Sequence, residues 1–106
     1  MTATMAAKAS EIAPGQMRVV DVSGVRVAIC NVDGTFYAIE DVCTHDDGPL
    51  GDGALNGDQV ECPRHGGRFN VKTGRATRMP AIVPVRSFPV RVEGGDIYIE
   101  VERHGV

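Results

Sequence analysis

Along most of the chain apolar residues alternate with polar ones instead of recurring every three or four positions, a pattern that predicts strands. The clearest run is Ile97-Tyr98-Ile99-Glu100-Val101-Glu102, which puts Ile97, Ile99 and Val101 on one face and both glutamates on the other. Phe88, Val90 and Val92 repeat the device one strand earlier, and Gly94-Gly95 between the two runs suits a two-residue hairpin turn. In the N-terminal half Val25, Val27 and Ile29 alternate with Arg26, Ala28 and Cys30, after which Asp33-Gly34 turns the chain into Thr35-Phe36-Tyr37-Ala38-Ile39. A third hairpin is predicted at Asn56-Gly57, joining Ala54-Leu55 to Gln59-Val60-Glu61. Residues 7 to 13 have room for one helical turn with Ser10 as its cap, stopped by Pro14-Gly15. No internal repeat or linker interrupts this series. The expectation is an all-β chain, an antiparallel barrel or sandwich of short strands, and at 106 residues a single domain spanning 1–106.

Two stretches break the alternation. Residues 42 to 53 read VCTHDDGPLGDG and residues 62 to 67 read CPRHGG, both rich in turn formers and both placed after a strand. Each carries one Cys and one His: Cys43-x-His45, sixteen intervening residues, then Cys62-x-x-His65. Three cysteines are poor material for a disulfide framework, and the chain has neither a signal-peptide pattern nor the roughly 18 apolar residues of a spanning helix. A cytoplasmic protein without a membrane segment is expected. The net charge of -3 and an aromatic content of 5% argue against a nucleic-acid surface or a base-stacking platform.

The four residues admit three readings. They can be incidental neighbours, two core thiols and two surface imidazoles; four ligands of a structural zinc ion; or ligands of a two-iron, two-sulfide cluster in which both Cys bind one iron and both His the other. The last explains why each loop mixes its residue types, because two irons lying side by side between the loops require one ligand of each kind from each loop.

With this separation, "CTH" and "CPRHGG" resemble the signature of Rieske iron-sulfur proteins, over about residues 8 to 102, and most resemble the small Rieske ferredoxins of bacterial ring-hydroxylating dioxygenases. The resemblance implies one [2Fe-2S] cluster, with Cys43 and Cys62 on the inner iron and His45 and His65 on the outer iron near the surface. It also implies a cluster-binding subdomain of about residues 42 to 83 inserted in a β base, with Met79-Pro80-Ala81 in a third loop over the cluster. The function implied is that of a monomeric one-electron carrier, not an enzyme, between an NAD(P)H-dependent flavin reductase and a terminal oxygenase. A small, fixed subunit of a nitrite-reductase-like enzyme is the alternative within the family.

Two neutral imidazoles in place of two thiolates leave the oxidised unit formally uncharged, so an added electron meets less repulsion and the potential rises above that of four-thiolate clusters. High-potential relatives resemble one another in having a loop disulfide and Ser and Tyr hydroxyls on sulfur. Here Gly67 and Phe69 stand at those hydroxyl positions, so a potential of about -150 mV is expected. Asp46, Asp47 and Asp52 form either a solvated turn or an acidic docking rim, which Arg64, Arg68, Arg75 and Arg78 would make mixed in charge. Cys30 is expected to be a small buried or half-buried strand residue without chemistry, and His104 an exposed tail residue.

Overall fold

The computed structural model describes residues 3–45 and 47–101; Asp46, Glu102 and His104 lie outside them. Eleven strands and two short 3-10 turns make up the described chain, and every strand pair is antiparallel. One sheet orders β1 (Thr4–Lys8), β11 (Asp96–Ile99) and β10 (Val90–Glu93); a second orders β2 (Met17–Val22), β3 (Val25–Val32), β4 (Thr35–Glu40) and β9 (Ser87–Phe88). The third holds β5 (Ala54–Asn56), β6 (Gln59–Glu61), β7 (Arg68–Asn70) and β8 (Ala76–Arg78).

All three expected hairpins form. Gly94 and Gly95 both take positive φ, 59° and 83°, matching the right-handed twist of the strands they join, and Glu93 pairs with Asp96. Asp33-Gly34 closes β3 onto β4, and Asn56 pairs with Gln59 around the turn between β5 and β6. The helical turn expected over residues 7 to 13 is shorter, a 3-10 turn at Ala9–Glu11 with Ser10 inside it and Lys8 at its N-cap. Ala7 is already committed to β1, paired with Ile97, and the Lys8 amide donates to Glu11 Oε1 at 3.0 Å.

The run Phe88, Val90, Val92 is not one face of one strand. Phe88 in β9 pairs with Ala38 of the second sheet, whereas Val90 and Val92 belong to the first. The chain changes sheets at Pro89, which has no amide hydrogen to give to a ladder, and Val92 ends exposed.

The second sheet is the middle layer, and β3 is buried on both sides. Val27 and Ile29 pack into one core with Ile12, Val22, Ala38, Phe88, Ile97 and Ile99. Ala28 and Cys30 point the other way, into a core that holds Ile39, Leu50, Val60, Phe69, Val71, Cys43 and Cys62. The expected one-sided alternation of β3 is therefore a division of apolar residues between two cores. The buried Asn31 at its end is satisfied, donating to the Ile12 carbonyl at 2.8 Å and accepting from the Gly34 amide at 2.7 Å. Ile29 and Ile39 are fully buried, one in each core, and truncating either to Ala costs about 2–5 kcal/mol.

Since β4 and β9 are neighbours, with the Glu40 amide bonded to the Arg86 carbonyl at 2.9 Å, the chain between them is an excursion from the middle sheet. That excursion carries the third sheet and both Cys/His loops.

Candidate metal centre

Cys43 follows β4 and Cys62 follows β6, and the two loops fold alike. The Cys43 amide donates to the Gly48 carbonyl at 2.7 Å, and the Cys43 carbonyl accepts from the Asp47 amide at 2.7 Å. The Cys62 amide donates to the Gly67 carbonyl at 2.7 Å, and the Cys62 carbonyl accepts from the Gly66 amide at 3.1 Å. Each cysteine is thus clamped at both backbone groups, by the residues four and five positions ahead. The residue at the fourth position has positive φ in both, Asp47 at 62° and Gly66 at 76°. A Cys followed five residues later by Gly, at Cys43/Gly48 and Cys62/Gly67, is the sequence trace of this clamp.

The clamps aim the thiols inward. Cys43 and Cys62 are each 1% exposed and belong to the core between the second and third sheets, and no disulfide joins them. His45 and His65 are exposed, and their rings meet edge to face with centroids 5.3 Å apart and an interplanar angle of 88°. The structure therefore brings the two predicted imidazoles together at the surface and places both predicted thiols in one core beneath it. Among the described residues no three His, Cys, Asp or Glu side chains gather into a single-ion site. Soft thiols below and imidazoles above suit a group with two unlike ends better than one tetrahedral ion.

A third loop closes over the second. The Ala81 amide bonds to the Arg78 carbonyl at 3.1 Å, and a Cβ placed on Gly67 would lie 3.0 Å from the Ala81 Cβ. Thr44, between the two predicted ligands of the first loop, donates its hydroxyl to the Val83 carbonyl at 2.5 Å. This loop leaves Met79 and Ile82 strongly exposed, at 74% and 72%. Asp47, Asp52, Arg64, Arg75 and Arg78 are also exposed, while Arg68 pairs with Glu61 at 2.8 Å. Cys30 lies in the same core as Cys43 and Cys62, where desolvation pushes its thiol up to about 12.

The family model for the Rieske [2Fe-2S] domain matches residues 2–89. The ferredoxin component of biphenyl 2,3-dioxygenase from Rhodococcus jostii is 39% identical over 102 residues, covering 96% of this chain and 95% of that protein. The ferredoxin of carbazole 1,9a-dioxygenase from Nocardioides aromaticivorans superposes with a TM-score of 0.92 at 33% identity, over 96% of this chain and 100% of that one. A chain from a complex of reduced oxygenase and oxidized ferredoxin in carbazole 1,9a-dioxygenase matches with a TM-score of 0.87 at 40% identity, covering 94% of this chain and 97% of that one. With its all-β sheets and paired Cys/His loops, the chain belongs to the Rieske [2Fe-2S] family.

Proposed function

We propose that the protein is a one-electron carrier in which Cys43 and Cys62 hold the inner iron of a single [2Fe-2S] cluster and His45 and His65 hold the outer iron. The carrier takes electrons from an NAD(P)H-dependent flavin reductase and passes them to a terminal oxygenase of the ring-hydroxylating dioxygenase type. It performs no chemistry on an organic substrate and acts as a cytoplasmic monomer. Residues 1–106 form a single Rieske domain, with a cluster-binding part at about residues 42 to 83.

The observation that carries this reading is the sorting of the four side chains by depth, with both thiols sealed in the core and both imidazoles at one solvent edge. When bound, the cluster supplies reversible one-electron chemistry. The core around Cys43 and Cys62, including Leu50, Val60 and Phe69, keeps water from the sulfur side. The exposed imidazoles would hold the solvent-facing end of the cluster and would add no negative charge to it. Relatives sharing 33–40% of this sequence are ferredoxins of oxygenase systems, and this supports the choice of partner. No helix of the described chain is long and apolar enough to cross a membrane.

Iron and acid-labile sulfide analysis of anaerobically prepared protein tests the cofactor, and the absence of either element sinks the reading. Cys43→Ser and Cys62→Ser should abolish normal assembly, whereas His45→Cys or His65→Cys should lower the midpoint potential of any cluster that forms. An unaltered redox spectrum in one of these variants removes that residue from the ligand set. Elution of the native protein with a larger partner would favour the fixed nitrite-reductase-like subunit over the shuttle.

A further inference from the structure

The two ligand loops share an internal fold but differ at the mouth. The second loop spans paired strands, with Glu61 of β6 opposite Arg68 of β7, so the ladder and the ion pair between those side chains close it. The first loop runs from β4 in the middle sheet to β5 in the third sheet, and no ladder joins those strands. Something else must hold its ends together.

Asp41 stands there, two residues before Cys43. Its side chain is completely shielded from solvent, and Oδ1 accepts the Gly51 amide at 2.6 Å, a short bond to a charged acceptor. Oδ2 lies 3.3 Å from Arg26 Nη2, but that guanidinium side chain is 67% exposed, so the ion pair is the weaker half of the arrangement. The Asp41 amide is itself bonded to the Arg26 carbonyl at 2.9 Å, which fixes the aspartate to β3. Gly51 reaches the carboxylate only because it lacks a side chain: a Cβ there would lie 2.2 Å from Val19 Cγ2 and 3.2 Å from Asp41 Oδ1. The bond from residue 41 to residue 51 spans the segment carrying Cys43 and His45.

We propose that Asp41 is a positioning residue whose carboxylate, through the Gly51 amide, holds the first Cys/His loop in its ligating shape and thereby sets how long the cluster is retained. This rests on Cys43 and His45 being ligands. Without the clasp, the first loop opens while the second, closed by its own ladder, does not.

The test compares full-length holoprotein with Asp41→Ala, Asp41→Asn and Arg26→Gln, reading iron loss to a ferrous chelator from the decay of visible absorption, and amide exchange by mass spectrometry. Asp41→Ala should release iron about 10- to 100-fold faster than wild type, the range for removing a partner that orients a ligand. Asp41→Asn keeps an oxygen for the Gly51 amide and should stay within about threefold of wild type, as should Arg26→Gln. Exchange in Asp41→Ala should accelerate across residues 42–53 and remain unchanged across 62–67. Wild-type iron release in Asp41→Ala, or equal loosening of both loops, would overturn the proposal. Should Asp41→Ala not fold, Asp41→Ser, whose hydroxyl is too short for the same bond, carries the same comparison. A wild-type chain that assembles no iron-sulfur centre would sink the ligand reading instead, and the exchange comparison on that chain would still decide the clasp.

Discussion

A methyl group placed on Gly67 would lie 3.0 Å from the Ala81 Cβ and 3.1 Å from its amide nitrogen, so the third loop fills the space that a larger residue in the second would need. Phe69, fully buried in the core that holds both cysteines, offers no hydroxyl either. With neither position able to donate to sulfur, the midpoint potential should lie at about -150 mV, and a value above about +100 mV would refute this account of its tuning. Phe69→Tyr should move the potential upward with little structural change, as voltammetry would read. Gly67→Ser should do so only if Ala81 gives way, which melting of the holoprotein would register as a loss of stability. Cys30 makes a separate prediction. Burial raises its thiol pKa to about 12 in the fold, against 9.0 for an exposed thiol. Its contribution to stability is therefore complete below pH 9 and is lost as pH rises toward 12. Denaturant titrations of wild type and Cys30→Ala should diverge least at that alkaline end, and a gap that stays constant from pH 8 to pH 11 would contradict the burial effect.

The ligand loops are twins in hydrogen bonding but not in composition, since Asp47 occupies the positive-φ position that Gly66 fills in the other. Gly66→Ala should cost about 1–2 kcal/mol, while Asp47→Gly, which relieves the same conformation but loosens the unfolded chain, should stay within about 1 kcal/mol. Thermal melts of the two variants give the comparison, and a harmless Gly66→Ala would show that the turn is not constrained. Several elements were legible in the sequence because their determinants are local. Asp33-Gly34, Asn56-Gly57 and Gly94-Gly95 fixed three hairpins, and the paired Cys/His spacing picked out the two loops whose imidazoles the structure brings together. What stayed hidden depended on distant partners. β3 read as a one-sided strand because its period of two is the same whether the second face meets water or another core. Phe88 and Val92 read as one face because Pro89 sends the chain to another sheet without disturbing the alternation. β7 and β8 have three residues each, too few to show a period, and the Asp41 to Gly51 bond joins positions that no local rule connects.

At the scale of the molecule, the most exposed large apolar side chains among the described residues, Met79 and Ile82, with Val83 beside them, sit on the loop that closes over the second Cys/His loop. The loop is held by the Thr44 hydroxyl and by the close approach of Ala81 to Gly67, and its exposed side chains suit contact with an oxygenase partner. Replacing Met79 and Ile82 together by Glu should slow electron delivery to such an oxygenase by about tenfold and leave oxidation by ferricyanide unchanged. Equal slowing with both oxidants would place the effect on the redox centre instead. The depth sorting of thiols and imidazoles carries a last consequence for the proposed carrier. A lamp with one shutter faces one way: if charge both enters and leaves past His45 and His65, the reductase and the oxygenase must take turns at the same spot. The flux through such a relay then depends on how often the little protein lets go and tumbles across, and it should rise with its own abundance more steeply than with that of either larger neighbour.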